Sequence, residues 1–239
     1  ADTIASELSI ALSEVFEVTL NYCFEKQGVL YDAEDDSSVI TSINQKLYAK
    51  LKAEKEVTFA MTFPGGTHDL WLRNWMSVAG LNQKAVKIIT IPPPQMVANM
   101  KVGNMDGYCV GEPWGGVAVK QGIGFTQVAS QDIWKDHPEK ALVVNKDFSA
   151  KRKADLVKVM KAVMEACKWL DVPANRKKAA AIIGKAPYVN APADVIEARL
   201  MGDYNLGCNQ GVEVYDNDYM LFHKGGMVNF PRKSHAIWA

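Results

Sequence analysis

The stretch VTFAMTF (57–63), PGGTHD (64–69) and LWLRNWMSVAG (70–80) decides how the rest of the chain is read. In its first part Val57, Phe59, Met61 and Phe63 alternate with Thr58, Ala60 and Thr62, the period of a strand. In its last part Leu70, Trp71, Trp75, Met76 and Ala79 recur at helical spacing, and Gly80 is placed to close the helix in the left-handed conformation. Two glycines let the joint turn sharply, Thr67 is a candidate N-cap, and His68 falls at the mouth of the helix. Unpaired N–H groups and the helix dipole make such a terminus a receptor for a small anion. An ordinary strand–turn–helix joint with an exposed histidine would read the same, because short glycine-rich turns are weak motifs.

Moving outward, the pattern repeats. VKIITI (86–91) reads as a strand, and Pro92-Pro93-Pro94 leads into a helix that stops at Gly103. Pro94 suits a first helical turn, where its missing N–H costs nothing. Gly107–Val110 reads as a short strand, Gly111-Glu112-Pro113 as a turn, and Trp114–Gln121 as a helix ended by Gly122. Phe125–Ala129 is a further strand candidate. Three strand–helix units in succession predict a parallel α/β sheet with right-handed crossovers. Ligands of such sheets bind at the carboxyl ends of the strands, and those ends here carry GGTH, PPPQ and GEPW.

The flanks are less regular. Residues 1–31 suggest a helix over Ile4, Leu8, Ala11, Leu12 and Val15, with strand character over Val15–Leu20 and Tyr22–Phe24. The acidic run at 32–38 reads as a solvated loop, and Val39–Lys55 as a helix. After the polar segment QDIWKDHPEK (131–140) the chain turns helical. Lys151–Leu170 should bury one face of Leu156, Val159, Met160, Val163, Met164, Cys167 and Leu170. Asn175–Gly184 is a second helix, and a third opens near Asp194 and closes at Gly202.

Composition narrows the classes. The 239 residues, 48% hydrophobic and 23% charged, suit a globular chain with a sizeable core, and 27 basic residues balance 27 acidic ones. Nucleic acid is disfavoured as a partner, since its binders carry a basic excess. No apolar run approaches the roughly 18 residues of a membrane helix. The N-terminus lacks the basic region of a signal peptide. Cys23, Cys109, Cys167 and Cys208 are widely spaced, which predicts buried free thiols and no disulfide framework. His68, His137, His223 and His235 form no metal-ligand spacing, no nucleophile motif accompanies His68, and no phosphate-binding loop occurs. No metal, cofactor or catalytic set is therefore expected.

The blocks TFPGGTHDLWLR, IPPPQMVANMKVGNMDG, VGEPW, IWKDHPEKAL, YVNAP and VNFPRKSHAIW closely resemble the nitrate- and bicarbonate-binding proteins of cyanobacterial ABC transporters. That resemblance implies a two-lobed, type II periplasmic-binding-protein-like α/β fold with one lobe incomplete. Residues 57–140 would form lobe II, and residues 1–56 with 141–239 lobe I. Family members carry further residues ahead of this chain's start, among them the first strand of lobe I and an aromatic pocket wall.

Carried over, the resemblance implies ligand contacts from His68 of GGTH, the backbone N–H of Gly111 in VGEPW, and the Lys140 ammonium of HPEK. Gln27 would favour nitrate, which only accepts hydrogen bonds, over bicarbonate, whose O–H suits a carboxylate. Implied partners are the anion itself and an ABC permease or larger membrane-associated assembly. The implied location is periplasmic or membrane-associated, with an organellar one as the alternative. The competing reading is a structural or interaction subunit of this descent with a vestigial pocket.

Overall fold

β1 (Val57–Met61) is the middle strand of a parallel sheet ordered β2-β1-β3. This computed structural model describes residues 57–78, 82–126, 128–133, 137, 140–209, 211–216 and 219–229. Gln27, Cys23, His235, the Val39–Lys55 helix, the readings over residues 1–31 and the Gly80 cap lie outside them. β2 (Val86–Thr90) pairs from Val57 opposite Val86 to Met61 opposite Thr90, while β3 (Gly107–Tyr108) sets Phe59 against Gly107 and Ala60 against Tyr108. Val57, Phe59, Ala60 and Met61 are all buried, as befits a parallel strand covered on both faces.

Three helices follow the three strands: α1 (Thr67–Val78), α2 (Pro93–Lys101) and α3 (Trp114–Lys120). Leu72, Trp75 and Met76 form the buried stripe of α1, and the Trp75 ring meets Phe59 edge-on at 5.6 Å. Ala60 packs instead with Met96 of α2 and with Met105. Successive strand residues point to opposite faces, so α1 and α2 cover opposite sides of the sheet, as the expected crossovers require.

Several local expectations are corrected. β3 stops at Tyr108, although the Cys109 N–H still donates to the Ala60 carbonyl at 2.9 Å. Phe125–Ala129 is not a strand over its described residues. Ile123 and Gly124 donate to the Ala118 carbonyl, folding the chain back over the end of α3, and the Thr126 N–H turns to Leu206 at 2.8 Å. After α4 (Ser130–Ile133), a short helix outside the sequence expectations, α5 (Lys146–Lys151), capped by Asn145, precedes the expected long helix, which starts two residues later than expected as α6 (Lys153–Leu170), the two being separated at Arg152. On α6 the half-buried stripe is Leu156, Met160, Met164, Cys167 and Leu170, whereas Val159 and Val163 are 47% and 43% exposed. Cys109, Cys167 and Cys208 are half-buried, and not sealed in the core as expected.

The described residues group into two units: 57–133 with 204–213, and 134–203 with 214–229. β4 (Asp203–Asn205) and β5 (Val212–Val214) form a separate two-stranded sheet. In the second unit α7 (Pro173–Ile183) packs on α8 (Ala193–Met201), which ends at Gly202 in the left-handed region, φ 87°. Arg176 of α7 is 1% exposed. Its Nε donates to the Leu170 carbonyl (3.1 Å), Nη1 to Leu200 (2.8 Å) and Nη2 to Met220 (3.0 Å), with the guanidinium 5.9 Å above the Phe222 ring. Asp171 holds the same segment from the other polarity, its carboxylate accepting the N–H groups of Phe222, His223 and Lys224.

Candidate functional site

Because the three strands are parallel, the loops GGTH, PPPQ and GEPW leave from one edge of the sheet. Their chemistry differs loop by loop. In the first, Gly65 takes φ 73° and the Gly66 N–H returns to the Phe63 carbonyl at 3.2 Å. The Phe63 ring lies over Gly66 so closely that a Cβ there would stand 2.5 Å from it.

α1 begins at Thr67, so Thr67 is inside the helix and not its N-cap. The buried Asp69 carboxylate serves this terminus instead. It accepts the Gly65 N–H at 2.8 Å and the Arg73 guanidinium at 2.8 Å, because a carboxylate 4% exposed must have its lone pairs met. The positive end of α1 therefore already faces a charge of its own chain.

His68 is half-buried. Its Nδ1 is hydrogen-bonded to the Thr62 hydroxyl at 2.9 Å. On the other side of the ring, Nε2 lies 3.8 Å from the point that a Cβ on Gly111 would occupy. The first and third loops thus meet, imidazole against bare backbone. A Cβ at 111 would stand in ordinary van der Waals contact with the ring.

The PPPQ loop offers less. α2 starts at Pro93 with Pro94 behind it, neither of which has an N–H, and the first donor, Gln95, is turned onto the Pro92 carbonyl at 2.9 Å. A helix led in by prolines makes a poor anion receptor, whatever its dipole.

In the GEPW loop the Glu112–Pro113 peptide is cis, and the Glu112 carboxylate accepts the Gly116 N–H at 3.1 Å. Its other oxygen lies 2.8 Å from where a Gly115 Cβ would stand, so the Gly115-Gly116 pair leaves the carboxylate room to reach the helix start. Beneath it the Tyr108 hydroxyl donates to the Trp114 carbonyl at 3.1 Å. Burial, with the Glu112 charge adding to it, pushes that phenol well above its ordinary range.

Lys140 is exposed and belongs to the second unit, as does His137; Gln27 is outside the described residues. Among the described residues no three His, Cys, Asp or Glu side chains are grouped to hold a metal ion, and no helix is long and apolar enough to cross a membrane. The sequence reading missed Thr62, Asp69 and Glu112. Thr62 carried one signal, its place just beyond the carboxyl end of the central strand; the two carboxylates carried none beyond nearness to a helix start.

Comparison with known proteins is consistent with this arrangement. Residues 13–184 match the model of the NMT1-like family. The nitrate/nitrite binding protein NrtA of Synechococcus elongatus is 39% identical over 190 residues, 79% of this chain and 42% of that protein. The bicarbonate-binding protein CmpA of the same organism is 29% identical over 181 residues, 74% of this chain and 40% of its own. The crystal structure of the periplasmic nitrate-binding protein NrtA from Synechocystis PCC 6803 superposes with a TM-score of 0.69 at 37% identity, over 74% of this chain and 46% of that one. The chain therefore spans less than half the length of the relatives it matches.

Proposed function

The chain belongs to the NMT1-like family, and on that premise we propose that it is a non-enzymatic oxyanion-binding protein, taking nitrate before bicarbonate. The observation that carries the reading is the meeting of the His68 imidazole with the bare backbone of Gly111 at the carboxyl edge of a parallel sheet. Two relatives support it by name, one a nitrate/nitrite and one a bicarbonate-binding protein.

In this reading His68 and the Gly111 N–H donate hydrogen bonds to the planar anion, and Lys140 supplies the compensating charge. Gln27 donates an amide N–H, which suits a ligand without a proton. Residues 57–140 form lobe II, residues 1–56 with 141–239 form lobe I, and the delivery partner is an ABC permease at the periplasmic face of a membrane. The PPPQ loop takes no part, since its prolines leave no donors at the helix start.

A second reading has an observation of its own. Asp69 and Glu112 already occupy the starts of α1 and α3, so the dipoles that would favour an anion are partly spent within the chain. A structural or interaction subunit with a vestigial pocket would keep such internal carboxylates and bind nothing.

Titration calorimetry with sodium nitrate and with sodium bicarbonate separates the two. Saturable heat with nitrate is expected, lost in Lys140→Ala. It should weaken in Gly111→Ala, where a Cβ has room at 3.8 Å from Nε2 and the fold should survive. No heat with either anion would hand the question to the interaction subunit.

A further inference from the structure

We propose that α6 is a surface-lying helix through which the second unit docks on an anionic lipid membrane. The chain as a whole balances 27 basic residues with 27 acidic ones, yet the charge is uneven along it. From Lys146 to Lys178 ten lysines and arginines stand against four aspartates and glutamates. Arg176 is spent inside on backbone carbonyls, and the other nine cations are exposed. The matching acidic excess lies elsewhere in the chain, so the field of a negative surface selects this face.

Local pairing leaves much of that charge unanswered. Asp147 meets Lys151 at 3.3 Å, Asp155 meets Arg152 and Lys158 at 2.7 and 3.4 Å, and Glu197 meets Lys177 at 3.3 Å. Among the described residues Lys146, Lys153, Lys161, Lys168 and Lys178 have no carboxylate within ion-pair distance.

α6 sets its lysines among exposed apolar side chains. Leu156, Met160, Met164 and Cys167 form the half-buried stripe turned to the unit. On the opposite line of the helix, at steps of four, three and four, come Lys158, Ala162, Glu165 and Trp169, the last 40% exposed. Val159, Val163 and Ala166 flank that line on one side, and Val157, Lys161 and Lys168 on the other. All are exposed.

This mixture identifies the partner. Protein interfaces enrich arginine, whose planar fork pairs with carboxylates, and deplete lysine; eight of the nine exposed cations here are lysine. A nucleic-acid backbone would take the lysines and give the valines nothing to bury against. A lipid surface uses both. Ammonium groups on flexible stems reach headgroup phosphates, valines sink to the acyl boundary, and a tryptophan suits the layer between. The contact is peripheral, since no helix among the described residues is long and apolar enough to cross a membrane. It stands whether or not an oxyanion is bound.

The test floats the full chain with vesicles of phosphatidylglycerol and phosphatidylcholine at about 3:7, and with phosphatidylcholine alone. Binding is expected to the anionic vesicles only, and about 0.5 M salt should release it, because screening shortens the reach of the lysines. Lys158→Gln, Lys161→Gln and Lys168→Gln combined should weaken it about a hundredfold, or about fivefold for each lysine, with the thermal midpoint unchanged. Tryptophan emission should shift to the blue on the anionic vesicles, and Trp169→Phe should remove the shift.

Failure to bind the anionic vesicles, or equal binding to both kinds, would overturn the inference. So would a triple variant that binds as the wild type does, or an emission shift that survives Trp169→Phe and so places the contact elsewhere. Retention on polyglutamate or duplex DNA without vesicle binding would overturn it in favour of a protein or nucleic-acid partner.

Discussion

Replacing Arg176 by methionine keeps much of the side chain's length and removes every donor it offers. Its guanidinium is 1% exposed and serves the carbonyls of Leu170, Leu200 and Met220 at 3.1, 2.8 and 3.0 Å. Two of these oxygens lie in the last turns of α6 and α8, where helical partners run out. Hydrogen bonds from a charged donor contribute about 1.5–3 kcal/mol each, so three give roughly 5–9 kcal/mol. Against that stands the several kcal/mol cost of taking a guanidinium out of water, which the methionine protein escapes.

The difference leaves about 3 kcal/mol of destabilisation, the size expected when buried carbonyls lose their donors. With a urea slope of about 1–3 kcal/mol/M, the unfolding midpoint of the second unit should fall by at least about 1 M. Hydrogen exchange followed by mass spectrometry gives the local readout. The amides of Phe222, His223 and Lys224, which Asp171 accepts, should lose protection together with the end of α8. Arg176→Lys keeps the charge but not the planar fork, and should fall between the two. An unchanged midpoint with unchanged protection at 222–224 would refute the idea that this one side chain ties three segments together.

Two further perturbations probe the scaffold. Gly202→Ala combines φ 87° with a Cβ 2.8 Å from the Tyr215 carbonyl, so it should cost upwards of about 2 kcal/mol in thermal melts. Gly103→Ala, at φ 80° but in open space, should cost only the backbone share of about 1 kcal/mol, and equal losses would show that the Tyr215 contact is unimportant. Tyr108 should ionise late in a pH-jump titration followed at 295 nm, and Tyr108→Phe should remove a late step. Because its folded value is raised, the stability it contributes is full below the ordinary phenol value and is lost as pH climbs through the folded one. A Tyr108→Phe protein whose late ionisation is unchanged would contradict the burial argument.

The amino-acid sequence alone determined the three strand–helix units, the parallel sheet, the cap at Gly202 and the edge at which His68 and Gly111 would lie. Each follows from local periods of 2 and 3.6, from turn residues and from the handedness of crossovers, so short windows of sequence contain the information. Tertiary structure alone decided how those loops are used. Thr67 reads as a cap and Asp69 does the work; PPPQ reads as one of three receptors and has no donors to give; Val159 and Val163 read as core and stay exposed. The same holds for Thr62 against His68 and for Arg176 against its three carbonyls. A buried polar group takes whatever partner the packed chain brings within about 3 Å, and that partner is set by contacts distant in sequence, which no local pattern encodes.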